Sequence, residues 1–211
     1  MKIVIASKNE DKIYEIINIL NLDSRVSPVC RQARGQEGLE FLTFKDFEDW
    51  WDVEETGSSF EENAILKAKE LAEKFNLSAL ADDSGLEVDI LNGKPGIYSS
   101  RYAGESATDE ENIVKLLDNL KECSLDKRTA QFKCCAVFFI PPDKIFKTEG
   151  VCKGQIIFEP RGSKGFGYDP IFVPDGFNET MAELPIEIKN KISHRGQAFR
   201  KMRDILNELK I

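Results

Sequence analysis

The sequence predicts a mixed α/β fold, and three features carry that prediction. Short apolar runs of strand character intermix with stretches of helical spacing along the chain. A long Phe- and Cys-rich run, Thr129 to Ile140, is stopped by Pro141-Pro142 and followed by a second run, which reads as a hairpin. No internal repeat or low-complexity linker interrupts the pattern, so residues 1–211 are read as one domain around a mixed sheet.

Lys2 to Ala6 reads as a buried strand. Ser7-Lys8-Asn9 breaks it, and from Asp11 the residues Ile13, Ile16, Ile17 and Leu20 have helical spacing. Residues 24–53 are less regular. Gly35 and Gly38 mark a loop, and Phe41, Leu42, Phe44, Phe47, Trp50 and Trp51 crowd together as core or subunit contact, with a ligand-stacking site the alternative. Ser59 with Glu62 is a capping-box pattern. Phe60, Ala64, Ala68, Leu71, Ala72 and Phe75 then form one helix face to about Lys74. Ser78 to Ala81 reads as a short strand ending in Asp82-Asp83-Ser84-Gly85. Leu86, Val88 and Ile90 alternate as another strand. Asn92 to Gly96 is turn chemistry. Asp109 to Leu120 is helical, with Ile113, Leu116, Leu117 and Leu120 on one face. Ile145 to Ile157 returns from the proline turn, bent at Gly150 or Gly154. A Gly-rich loop, Arg161 to Pro170, precedes the apolar Ile171-Phe172-Val173. The last helix begins near His194 or Arg195 and carries Phe199, Met202, Ile205, Leu206 and Leu209.

A chain of 211 residues can bury a core without disulfide staples. The formal charge of −8 argues against a nucleic-acid binder that grips by bulk charge. It leaves room for a small phosphate ligand, because a few local cations or a metal reverse the sign of a site. No apolar run reaches the length of a membrane span, and Met1 to Ala6 is too short for a signal-peptide core. The five cysteines, Cys30, Cys123, Cys134, Cys135 and Cys152, are odd in number and hold no C-x-x-C pair. That argues against a disulfide framework or zinc site and for a reducing cytoplasm.

Four polar clusters carry candidate chemistry. Ser7, Lys8, Asn9 and Lys12 lie where a strand feeds a helix N-terminus, a setting for an anion or for a simple helix cap. Asp82 and Asp83 suit a magnesium ligand or a general base, or a turn. Glu54-Glu55-Thr56-Gly57 supplies further carboxylates before the capped helix. Gly165 to Asp169, with Lys189, Lys191, His194 and Arg195, combines close backbone approach, aromatic faces and donors for a carbonyl-rich base or a phosphate. His194 is the only histidine in the chain. Together the clusters suit a magnesium–nucleotide site, and leave the scissile bond and the base open.

The segments IASKNEDKIYEI, EETGSSFEENAILKAKE, ALADDSGLEVDILNGKPGIYSSRYAG, GFGYDPIF and KISHRGQA, in that order, resemble the inosine triphosphate (dITP/XTP) pyrophosphatases. The resemblance covers residues 1–22 and about 54–206. It implies a two-lobed α/β fold with an elongated mixed sheet flanked by helices, a cleft between the lobes and a cytoplasmic homodimer. The implied reaction is Mg²⁺-dependent hydrolysis of ITP, dITP and XTP to monophosphate and pyrophosphate, which cleanses the nucleotide pool.

Carried onto this chain, the resemblance gives Ser7, Lys8, Asn9 and Lys12 to the triphosphate. Glu54 becomes the metal carboxylate, with Glu55 a close competitor. Asp83 becomes metal ligand and general base. Ser84, Asn63 and Lys67 face the substrate, and Phe166, Gly167, Tyr168 and Asp169 frame base and sugar. Lys189, His194 and Arg195 would read the 6-oxo edge, which fits inosine and xanthine and meets the adenine amino group badly. Two departures stand out: Met181 precedes Ala182-Glu183, and residues 24–53 match poorly and run long. The competing readings are a house-cleaning pyrophosphatase of other base preference and a nucleotide sensor without turnover.

Overall fold

The computed structural model describes residues 1–20 and 39–209, so the expected loop at Gly35 and Gly38 and the thiol of Cys30 lie outside the described residues. Among the described residues seven strands and five α-helices follow one another in the mixed order expected. The strands are β1 (Lys2–Ile5), β2 (Glu40–Leu42), β3 (Ser78–Val88), β4 (Lys94–Pro95), β5 (Thr129–Ile140), β6 (Lys144–Ile156) and β7 (Phe172–Pro174). The helices are α1 (Glu10–Leu20), α2 (Phe60–Phe75), α3 (Asp109–Asn119), α4 (Ile186–Ile192) and α5 (His194–Glu208). The strands form one mixed sheet in the order β2-β1-β3-β5-β6-β7, with β4 also paired to β3. β1 runs parallel to both β2 and β3, whereas β3–β4 and β6–β7 are antiparallel. β1 is a central strand parallel to both neighbours and covered on both faces, so Ile3, Val4 and Ile5 are continuously apolar and fully buried.

The main departure from the sequence reading is β3. Asp82-Asp83-Ser84-Gly85 is not a turn between two strands but the middle of one strand of 11 residues. Pairing with β1 at Ser78–Leu80 and with β4 at Glu87 and Val88 holds both ends extended. Ile90 falls outside it, in a 3-10 turn, and is exposed.

The chain divides into two compact units, each assembled from separated segments. The first comprises Met1–Asp83, Cys135–Glu149 and Arg195–Ile211; the second, Ser84–Cys134 and Gly150–His194. In the first unit α2 lays Ala64, Ala68, Leu71 and Ala72 against Val4, Ala79, Ala81, Cys135, Val137 and Phe139. Its small residues let the helix approach the sheet closely. Leu71, 2% exposed, contributes about 2 kcal/mol by burial. Ser59 caps α2 by accepting from Glu62 N–H, but Glu62 reaches to Ser58 rather than back to Ser59, so only half of the expected capping box forms. The aromatic segment is core packing: Phe47, Trp50, Trp51 and Val53 pack beside α2, with Phe47 stacked on Phe75 at 3.8 Å between ring centroids.

In the second unit Leu86, Val88, Ile113, Leu116, Leu120, Phe132, Tyr168 and Phe172 belong to one apolar cluster. Arg128 is buried there and donates to the carbonyls of Leu120, Cys123 and Ile157. None of the described helices is long and apolar enough to cross a membrane.

Candidate active site

In the first unit the carboxylates gather on Lys67. Helix α2 turns Asn63 and Lys67, one turn apart, toward Asp83 on β3. The Lys67 ammonium lies 3.2 Å from Asp83 Oδ1 and 2.7 Å from Glu55 Oε1. Asn63 Nδ2 donates to Asp83 Oδ2 at 3.1 Å. Burial pushes the Asp83 carboxyl above its ordinary range; Lys67 opposes the shift and Glu55 adds to it. Burial would lower the Lys67 ammonium, but Asp83, Glu55 and Asp82 together raise it.

Asp82 points the opposite way electrostatically. It is fully buried, which alone would raise its pKa, yet Lys12, Arg195 and Lys67 hold it well below the usual carboxylate range. Arg195 Nη2 lies 3.0 Å from Asp82 and Nη1 2.8 Å from Glu15 of α1, a buried triad. Lys12 lies 3.9 Å from Asp82. Neighbouring aspartates on one strand point to opposite faces, which lets one stay ionised while the other is destabilised as an anion.

The Ser7–Lys12 segment caps α1. Ser7 Oγ accepts from Asn9 N–H, and Asn9 Oδ1 accepts from Lys12 N–H. Lys8 pairs with Asp52 at 2.9 Å. Glu54 is exposed, whereas Glu55 is half-buried against Lys67, so the structure brings Glu55 toward Asp83.

In the second unit the glycine-rich loop is pinned at three points. Asp109 at the start of α3 accepts from Gly167 N–H at 2.6 Å. Tyr168 is buried and donates its hydroxyl to Ser99 O at 2.9 Å. Asp169 accepts from Phe166 N–H and from Lys189 at 2.5 Å, both through Oδ2. Gly165 has φ +75°, and a Cβ there would overlap Asp169, so glycine is required. Lys189 also lies over the Phe166 ring, 5.0 Å from its centroid. His194 stacks on Phe132 with ring centroids 4.7 Å apart and the ring planes nearly parallel. Ser84 is half-buried on β3. Glu15, Ser99 and Asp109 escaped the sequence reading. Each is an ordinary polar residue whose partner lies far along the chain.

The donor set fits magnesium. The protein offers hard carboxylate oxygens at Asp83 and the Glu54-Glu55 turn. Among the described residues no three His, Cys, Asp or Glu side chains gather as a metal cage. One or two carboxylates is the number Mg²⁺ takes when water and phosphate oxygens complete its shell. A divalent cation would also offset the penalty of an ionised Asp83 in its buried setting.

The chain is 50% identical over 155 residues to a dITP/XTP pyrophosphatase of Bacillus subtilis (strain 168), covering 74% of this chain and 78% of that one. The Ham1 protein of Staphylococcus aureus superposes with a TM-score of 0.82 at 41% identity, covering 99% of this chain and 100% of that one. The Ham1 protein of Coxiella burnetii gives 0.83 at 41% identity, with 99% of each chain covered. The model of the Ham1 family matches residues 3–205, and the chain belongs to that family.

Proposed function

We propose that this protein is a nucleoside triphosphate pyrophosphatase that hydrolyses ITP, dITP and XTP to the monophosphate and pyrophosphate. The observation that carries the reading is Asp83: a buried carboxyl of raised pKa, held by Lys67 and Asn63 in a chain 50% identical to a relative named a dITP/XTP pyrophosphatase. Water attacks the α-phosphorus and its proton passes to Asp83. The bond from that phosphorus to the α,β-bridging oxygen breaks, and pyrophosphate leaves with the electron pair. Ser7, Lys8, Asn9, Lys12 and Lys67 bind the triphosphate, whose arrival competes with Asp52 for Lys8. Asp83 and Glu54, with Glu55 the alternative, would hold a magnesium ion, which when bound would supply charge neutralisation to the phosphate oxygens. Ser84, Phe166, Gly167, Tyr168 and Asp169 hold sugar and base. Lys189, His194 and Arg195 read the base edge, Arg195 from a guanidinium already fixed by Glu15 and Asp82, hence as a rigid donor. The enzyme is assigned to the cytoplasm as a homodimer, acting on a small-molecule nucleotide rather than on nucleic acid.

The test is pyrophosphate release from ITP, XTP, dITP, GTP and ATP, with Mg²⁺ and with EDTA. Metal-dependent turnover of the first three, with GTP and ATP slow, is the expected result. Turnover of other bases would reassign the specificity. Binding without turnover would make the protein a nucleotide sensor.

A further inference from the structure

Asn63 is fully buried on the first turn of α2, and both ends of its amide are engaged. Its Oδ1 accepts from Gly57 N–H at 2.8 Å, and its Nδ2 donates to Asp83 Oδ2 at 3.1 Å. The two partners fix the orientation of the amide: Gly57 N–H requires an acceptor and the carboxylate requires a donor. The turn is pressed against this side chain. A Cβ on Gly57 would lie 2.6 Å from Asn63 Oδ1 and 2.7 Å from Glu62 Cβ. Gly57 closes the short turn Glu54-Glu55-Thr56-Gly57, and Glu55 meets Asp83 again through Lys67. Asp83 is thus clamped on both oxygens, Oδ1 by Lys67 and Oδ2 by Asn63.

We infer that Asn63 is a positioning residue, not a phosphate contact: its amide locks the Glu54–Gly57 turn to Asp83 and so sets the spacing of the carboxylates that take the metal. Full burial removes it from solvent, and a buried amide with both ends satisfied has a fixed rotamer. An arm of this kind acts on the affinity and geometry of the metal site without touching substrate. The inference rests on the assignment of Asp83 as the metal and base carboxylate, so the D83N variant accompanies the test.

The experiment compares N63L, which keeps the shape and loses both hydrogen bonds, with G57A, which leaves the amide and displaces it. Each is measured for Mn²⁺ binding by electron paramagnetic resonance in the absence of nucleotide, for kcat and KM with ITP, and for inhibition by pyrophosphate. The expected result is a loss of roughly 10- to 100-fold in Mn²⁺ affinity and in kcat, with KM and the pyrophosphate inhibition constant unchanged. A raised KM and weaker pyrophosphate inhibition, with kcat and Mn²⁺ binding kept, would make Asn63 a phosphate ligand and overturn the inference. So would wild-type behaviour of N63L, which would leave it as packing. If N63L does not fold, G57A decides: wild-type Mn²⁺ binding there overturns the inference. An inactive D83N beside a normal N63L defeats this inference alone, whereas an active D83N defeats the assignment of Asp83.

Discussion

Glu54 and Glu55 are adjacent in the chain and opposite in circumstance. Glu55 is committed to Lys67, and Glu54 is exposed at the same turn. If Glu54 is the metal carboxylate, E54Q raises the Mg²⁺ concentration for half-maximal activity about tenfold or more. E55Q then frees Lys67 and moves that concentration far less. A magnesium titration of both variants checks this, and the reverse order would move the role to Glu55. Tyr168 offers a pH test. Burial, reinforced by Tyr102 and Asp109, raises its phenol above the ordinary value. The folded state therefore favours the neutral form. That stabilisation is complete below about pH 10, where the unfolded tyrosine ionises, and is lost as pH rises through the higher folded value. Y168F should be less stable at neutral pH, having lost the bond to Ser99, yet show a shallower fall in Tm above about pH 10. Parallel slopes for both proteins would remove Tyr168 from the alkaline transition.

Helix α3 ends on a buried cation. Arg128 gathers the carbonyls of Leu120 and Cys123 near that end with that of Ile157 just past β6. It thereby satisfies acceptors at the negative end of the helix dipole. R128M keeps much of the apolar stem and strands these carbonyls. It should cost about 2 kcal/mol in urea unfolding with kcat unchanged. The elements also show what a sequence discloses. The faces of α2 and α3 were legible because apolar residues at spacings of three and four fix both helix and orientation. The strand character of Asp82 to Gly85 was not, because acid and glycine residues carry turn propensity that only pairing with β1 and β4 overrides. Helix α4 was missed for another reason: its seven residues are too few to establish a period.

The candidate site divides along the same line. Asp83 and Asp169 became candidates through their chemical type and loop-like settings, whereas Lys67 became one only through the resemblance. Glu15 was silent, since its meaning comes from Arg195, 180 residues away. The aromatic segment left three readings, core, subunit contact and ligand stacking, and its packing on Phe75 favours the core. W50A should therefore lower stability by about 2 kcal/mol and leave the particle mass by light scattering equal to that of the unaltered protein. A halved mass would return Trp50 to an interface between subunits.

The buried triad of Glu15, Asp82 and Arg195 also bears on how the protein is made. Two acidic members are synthesised early, and although Lys12 and Lys67 already act on Asp82, the guanidinium that bonds both carboxylates comes only with the start of α5. At ordinary translation rates, strand β1 and helix α1 wait on the order of ten seconds or more for that partner. During this interval the nascent first unit lacks both its closing segment and the guanidinium shared by Glu15 and Asp82. Messages truncated upstream of codon 195 would thus yield chains for proteolysis rather than partially active enzyme, and tolerance to nonsense mutations can begin only downstream of α5's first turn.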